Sequence, residues 1–354
     1  MLACLLQWLA KQQVQVTVVS ENPSETQHRF HVEAVENAPL LGEWAWRKSW
    51  FRGYAARLLR AIKSHDALIV GGGDLIRDDR GWRTFWYTME KIVFALCFSK
   101  PVYLVNIGIG RPVTKSGRFM LKWSLSRCRK IIVRDARSFQ LCKEMGCADF
   151  TELAPDIAIR LPRIFPTKKP DDKEDVFPKN GGYVVVCLRG TPNDFGQYPI
   201  GDDQVKNFAK ALDNLVEKHG VNIMFLPFQY DADVKNQSFQ HQVSQSMLNR
   251  KQLIYKEWTG DFEDIIGCFR GARLIFGMRL HAVVLAVALN KQCVVMPYDV
   301  KLYEFAKQFG LKYLLPASDL HDVDLIGKHL KEALQDAPAY DLGLANIWEH
   351  LTLE

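Results

Sequence analysis

Apolar and polar positions along this chain follow two spacings: short β-branched runs, and longer stretches with helical periodicity. The strand-like runs in the first half lie at 14–19, 30–35, 67–70, 102–107 and 131–134, separated by helical patterns at 51–64, 82–99, 115–128 and 136–146. Strands that alternate with helices of this length predict βαβ units and a parallel sheet. Most of the runs are continuously apolar, as expected for strands covered by helices on both faces.

The pattern breaks at 161–182, a stretch rich in proline and charge that ends in Asn180-Gly181-Gly182, a turn signal. It then restarts. Strand-like runs appear at 183–188, 223–226, 274–276 and 293–296, with helical patterns at 203–219, 232–247, 261–270, 281–289 and 301–308 and a last amphipathic stretch at 322–336. The chain is therefore expected to be α/β, with an N-terminal domain at 1–162, a linker at 163–182, a second domain at 183–320 and a C-terminal helix and tail at 321–354. Two successive units leave a cleft. Ligands of open parallel sheets sit outside the carboxyl ends of the strands, so functional residues are sought at strand exits.

Composition adds limits. The 354 residues are 48% hydrophobic and 24% charged, ordinary values for a globular protein with two cores. A net charge of +6 suits anionic small substrates or a weak attraction to acidic lipid, and no long Lys/Arg run points to nucleic acid. The eight cysteines form no CxxC pair, and Cys97, Cys187 and Cys293 lie in apolar runs. That usage predicts a reducing, cytoplasmic setting and no metal site. The first ten residues are apolar, too short to span a bilayer and without the basic region of a signal peptide. They read as an amphipathic helix packed on a sheet, with peripheral membrane contact as the alternative.

Four strand exits carry the candidate chemistry. Val70 runs into Gly71-Gly72-Gly73-Asp74, where glycines let backbone N–H groups approach an anion. The bland alternative is a tight turn. Asp74 either orients a hydroxyl or caps that turn. Val105-Asn106-Ile107-Gly108-Ile109-Gly110-Arg111 places Asn106 and Arg111 at a second exit; it lacks the third glycine of a dinucleotide fingerprint. Arg189 follows the strand at 183–188, and its planar fork suits a carboxylate or phosphate. Gly277-Met278-Arg279-Leu280-His281 joins a strand to an apolar helix, so Arg279 and His281 stand at a helix N-terminus that attracts anions. Pro297-Tyr298-Asp299-Val300-Lys301 forms a further strand-to-helix exit.

These pieces, in this order, resemble the polysaccharide pyruvyl transferase family. The matching residues are Gly71–Gly73, Asn106-Ile-Gly-Ile-Gly110, Val133-Arg-Asp-Ala-Arg137, Ala154-Pro-Asp156, Leu188-Arg189, Phe225-Leu-Pro-Phe228, Gly277-Met-Arg-Leu-His281 and Tyr298-Asp-Val-Lys301. The resemblance implies two Rossmann-like domains with parallel sheets, similar to a two-domain glycosyltransferase, with the active site in the interdomain cleft. It implies an enzyme that moves the enolpyruvyl group of phosphoenolpyruvate onto a saccharide, forming a pyruvate ketal and releasing phosphate in cell-surface polysaccharide biosynthesis.

On that resemblance Arg189 and Arg279 hold the donor and His281 is the general acid. Gly71, Gly72, Gly73, Asp74, Asn106, Leu280, Tyr298, Asp299 and Lys301 contribute to substrate binding. No cofactor or metal is implied. The expected partners are phosphoenolpyruvate and a saccharide acceptor, free or lipid-linked, with a homo-oligomer left open. One departure matters: the family opens with a strand and a glycine loop, whereas Met1 already lies within what resembles its first helix. A nucleotide-sugar glycosyltransferase of the same architecture and a non-catalytic descendant are the competing readings.

Overall fold

The computed structural model describes residues 1–40, 53–77, 81–165, 182–190, 200–228, 238–256 and 261–353. Most of the expected linker at 163–182, and the start of the helical pattern at 232–247, lie outside them. The chain divides into two compact units, Met1–Ile157 with Asn346–Glu354, and Ala158–Ala345.

Unit 1 contains helices α1 (Leu2–Lys11), α2 (Pro23–Phe30), α3 (Tyr54–Ser64), α4 (Trp82–Cys97), α5 (Lys115–Leu125) and α6 (Ala136–Glu144). Its strands are β1 (Thr17–Ser20), β2 (Glu33–Glu36), β3 (Leu68–Ile76), β4 (Val102–Ile109), β5 (Lys130–Val133) and β6 (Thr151–Leu153). They form two parallel sheets, β1-β2 and β3-β4-β5-β6. Helix α2 escaped the periodicity, yet its start has a local cause. Asn22 caps it by accepting the Glu25 N–H at 3.2 Å, and Pro23 suits the first turn. Helix α1 buries Cys4, Trp8 and Leu9 and lays Leu5 over Gly71, where an added Cβ would come within 2.8 Å of the leucine. The last residues return to this unit because Trp348 packs edge-on against Trp8, centroids 5.6 Å apart, and donates its indole N–H to Pro155 O at 2.8 Å.

Unit 2 contains helices α7 (Leu161–Ile164), α8 (Asp202–His219), α9 (Phe239–Ser246), α10 (Phe262–Gly271), α11 (Leu280–Ala288), α12 (Val300–Gln308) and α13 (Val323–Gln335). Its strands are β7 (Tyr183–Cys187), β8 (Asn222–Phe225), β9 (Leu253–Tyr255), β10 (Leu274–Gly277), β11 (Cys293–Val295) and β12 (Tyr313–Leu314). All six pair in parallel in the order β12-β11-β10-β7-β8-β9. That is the doubly wound order in which the first strand is central and the direction of winding reverses beside it. Its core joins Val184, Val186, Phe208, Phe225 and Phe276, with the Phe208 and Phe276 rings 4.8 Å apart. The strands that the sequence pattern did not reveal, β6, β9 and β12, are short and stand at sheet edges, where little apolar sequence is required.

Candidate active site

In unit 2 the winding reverses between β7 and β10. The two strands run in register with Cys187 opposite Gly277, and Met278 N–H bonds to Cys187 O at 2.9 Å. Arg189 and Arg279 each lie two residues beyond that pair, at the same height above the sheet. On the other side of β10, Val295 of β11 is also level with Gly277, so Tyr298 emerges at the same edge. The Arg189 guanidinium carbon lies 4.3 Å from the centre of the Tyr298 ring. Burial pushes the Tyr298 phenol above its ordinary range and Asp299 adds to this, whereas the charges of Arg189 and Arg279 pull it back down. Both cations therefore act on one phenol, at the switch point where open sheets bind ligands.

The backbone around these side chains is tightly held. Leu188 N–H donates to the fully buried Gln240 Oε1 at 2.9 Å, and Gly190, at φ +61, offers its carbonyl to Phe239 N–H at 2.8 Å. The segment carrying Arg189 is thus tied on both sides to the start of α9. Helix α11 comes so near the end of β10 that a Cβ on Gly277 would sit 2.7 Å from Val283 Cγ2. Arg279 is the N-cap residue of α11; its carbonyl accepts the N–H groups of Ala282 and Val283, while its side chain makes no capping bond. Leu280, partly buried, and His281, exposed, occupy the first turn, beside N–H groups that the helix itself does not use. Asp299 caps α12 by accepting Leu302 N–H at 2.9 Å, and Lys301 lies in that helix's first turn.

The other candidates lie in unit 1 and, contrary to the sequence reading, within strands instead of beyond them: Gly71–Asp74 are part of β3, which continues to Ile76 by pairing with β4, and Asn106 is inside β4. Gly72 and Gly73 have φ values of +77 and +96, open to glycine and strained for other residues, and the Met1 side chain lies over both. Asp74 is ion-paired with Arg77 at 2.5 Å. Asn106 is fully buried at φ +57, where the ladder between β4 and β5 shifts register. Its amide oxygen accepts Ile157 N–H at 3.0 Å and its amide nitrogen faces the Met1 sulfur at 3.7 Å.

The structure thus gathers Arg189, Arg279, Tyr298 and Asp299 in unit 2, with Leu280, His281 and Lys301 on adjoining helix starts. It places Gly71–Gly73, Asp74 and Asn106 in unit 1. Reading strand exits for candidate ligand-binding residues passed over Arg134, Asp135 and Asp156. Arg134 and Asp156 form a buried pair at 2.8 Å, with side chains 8% and 3% exposed. Asp135 caps α6 through Ser138 N–H, and both it and Asp74 come close over Gly108. The signal was available: Arg134 and Asp135 directly follow the apolar run 131–133.

Two parallel α/β units in succession, the second doubly wound, make this an α/β fold of the two-domain type found in nucleotide-sugar enzymes. The UDP-GlcNAc 2-epimerase from Methanocaldococcus jannaschii is similar at a TM-score of 0.68 and 11% identity, over 96% of this chain and 90% of that one. The UDP-GlcNAc 2-epimerase from Neisseria meningitidis bound to UDP-GlcNAc is similar at 0.59 and 11%, over 95% and 90%. Identities this low establish the fold alone. No curated protein matches the sequence. Residues 1–300 match the model of the polysaccharide pyruvyl transferase family, and the chain belongs to that family. Membership implies a transferase of polysaccharide biosynthesis with a saccharide acceptor. Among the described residues no helix is long and apolar enough to cross a membrane.

Proposed function

We propose that the chain transfers the enolpyruvyl group of phosphoenolpyruvate to a saccharide and closes it as a pyruvate ketal. The observation that supports this most is the pair of arginines level with each other beyond β7 and β10, both acting on Tyr298. Phosphoenolpyruvate carries a carboxylate and a phosphate on one small enol ether. Two guanidinium forks at a switch point match that charge and hold it in one orientation.

His281, two residues after Arg279, protonates the methylene carbon, and positive charge develops at the carbon bearing the phosphate. A sugar hydroxyl adds to that carbon and loses its proton; the carbon–oxygen bond to phosphate then breaks. A second hydroxyl of the same sugar adds in turn and gives up its proton, so the products are the ketal and inorganic phosphate. A helix N-terminus disfavours a protonated imidazole, and the negative charge of the bound donor offsets this. The acid is therefore competent chiefly in the complex. Asp299 and Lys301, at the start of α12, stand beside Tyr298 to position the donor or acceptor.

A thermal-shift titration tests the donor. Phosphoenolpyruvate at a hundred times its Kd should stabilise the wild type by roughly 2.7 kcal/mol. Arg279→Ala should keep its fold and lose the response. Stabilisation by UDP-GlcNAc with no response to phosphoenolpyruvate would instead place the chain among enzymes that use nucleotide sugars. A folded protein that responds to neither, and releases no phosphate, would be a non-catalytic relative.

A further inference from the structure

Residues 91–134 hold ten lysines and arginines and no aspartate or glutamate. The whole chain is only +6, so the rest of it is net negative and the positive charge is concentrated in this segment. Four of the ten are already neutralised: Lys91 by Glu90, Arg111 by Glu144, Lys130 by Glu152 and Arg134 by Asp156. Lys115, Arg118, Lys122, Arg127 and Arg129 are exposed and form no ion pair among the described residues.

Helix α5 sorts these residues by face. It buries Gly117, Leu121, Ser124 and Leu125 and presents Lys115, Arg118, Phe119 and Lys122 to solvent at successive turns. Phe119 is 69% exposed in the middle of the basic face, and Val113, just before the helix, is also 69% exposed. One turn beyond Phe119, Arg127 lies over Trp123 at 4.6 Å. A helix face that only meets water has no use for a protruding phenylalanine. An anionic bilayer surface uses both features: its phosphates pair with Lys and Arg, and the ring enters the boundary between headgroups and acyl chains. Duplex nucleic acid would use the charges and leave the ring in water.

We propose that the exposed face of α5 docks unit 1 on an anionic lipid surface, with Lys115, Arg118 and Lys122 on headgroup phosphates and Phe119 and Val113 inserted. Because α5 follows β4 by a short loop, this would bring the carboxyl-end edge of the unit 1 sheet towards the lipid. The inference does not depend on the reaction proposed above.

Flotation of the full chain with phosphatidylcholine vesicles, with and without phosphatidylglycerol, tests it. Binding is expected only with phosphatidylglycerol and should fall steeply with added salt. Lys115→Glu, Arg118→Glu and Lys122→Glu together should weaken it by at least about a hundredfold, since each basic residue near such a surface contributes roughly fivefold. Phe119→Ser leaves the charge and the core untouched and should weaken binding about tenfold. An absence of binding, or binding equal in the wild type and both variants, would overturn the proposal. So would preference for a single-stranded oligonucleotide over the vesicles with no effect of Phe119→Ser.

Discussion

The sheets of the two units differ in one respect that affects much else. In unit 2 the first strand, β7, stands between β8 and β10, and every residue of those two neighbours is buried. In unit 1 the strands at the corresponding positions are β1 and β3. Among the described residues β1 pairs only with β2, and β3 only with β4. None of the four residues of β1 is buried, and of the nine in β3 only Val70 and Ile76 are. A parallel strand is buried by its neighbours as well as by its own side chains. The same alternation of strand and helix therefore produces one continuous sheet in one unit and two half-open edges in the other. The strand exits differ too. Unit 2 presents two level arginines at its switch point, whereas in unit 1 Met1 covers Gly72 and Gly73 within β3 and the exit of β5 is occupied by the Arg134–Asp156 pair.

If anion binding belongs to the switch point of unit 2, Arg279→Ala has the largest effect. Phosphate release from phosphoenolpyruvate should drop about a thousandfold in kcat/KM, the scale of losing a charge-assisted contact to the reacting group. The urea midpoint should stay unchanged. A loss below tenfold would break the contrast between the two exits.

The next effect belongs to unit 1. Asp156→Ala removes the partner of a buried guanidinium and should cost about 3–5 kcal/mol, read as a lower urea midpoint. A loss under about 1 kcal/mol would mean that Arg134 reaches water or a ligand without its carboxylate.

Smaller still is a matched pair of glycine substitutions. Gly277→Ala drives a methyl into Val283, rooted on a buried helix, and should cost about 1–3 kcal/mol. Gly71→Ala meets chiefly the tip of Leu5, which can rotate, with Val105 O at 3.1 Å behind it. Its cost should fall below that of Gly277→Ala in the same melt. The reverse order would show α1 to be held as rigidly as α11.

Much of this was legible in the sequence because it depends on local signals. Continuous apolar runs marked β4, β5, β7, β10 and β11, and the residues just past them marked Arg189, Arg279 and Tyr298. What stayed hidden depends on pairing. The edge strands β6, β9 and β12 need only two or three residues each, too few to leave a period. Nothing local shows that Asn106 turns inward to Ile157, because that is decided by what lies opposite, whereas the capping of α12 by Asp299 is a contact three residues along the chain. The return of Trp348 to Trp8 is of the same kind: a contact between the two ends of the chain leaves no trace in either stretch alone.

The finest test of the comparison asks whether half-open edges soften the unit that carries them. Each unit holds buried thiols that report on opening: Cys4, Cys128, Cys142 and Cys147 in unit 1, and Cys187 and Cys293 in unit 2, all at most 7% exposed. Burial pushes the Cys128 and Cys142 thiols up to about 12 and raises Cys293 as well, so near neutral pH none of these three reacts while folded. Labelling must then follow local opening, and each 1.4 kcal/mol of difference in opening free energy appears as about a tenfold difference in rate. Exposed Cys97 should react with a disulfide reagent first and serves as the reference. Cys4, fully buried on α1 against β3, should follow at least about tenfold faster than Cys187 and Cys293, because a sheet paired on one side opens at its unpaired edge, while Cys142 and Cys147 beside β6 should stay slow. Equal rates would mean that the packing of α1 on β3 compensates for the unpaired edge. Adding phosphoenolpyruvate separates the units further: if it binds as proposed, through Arg189 and Arg279 beside β7 and β10, it should slow the thiols of unit 2 more than those of unit 1.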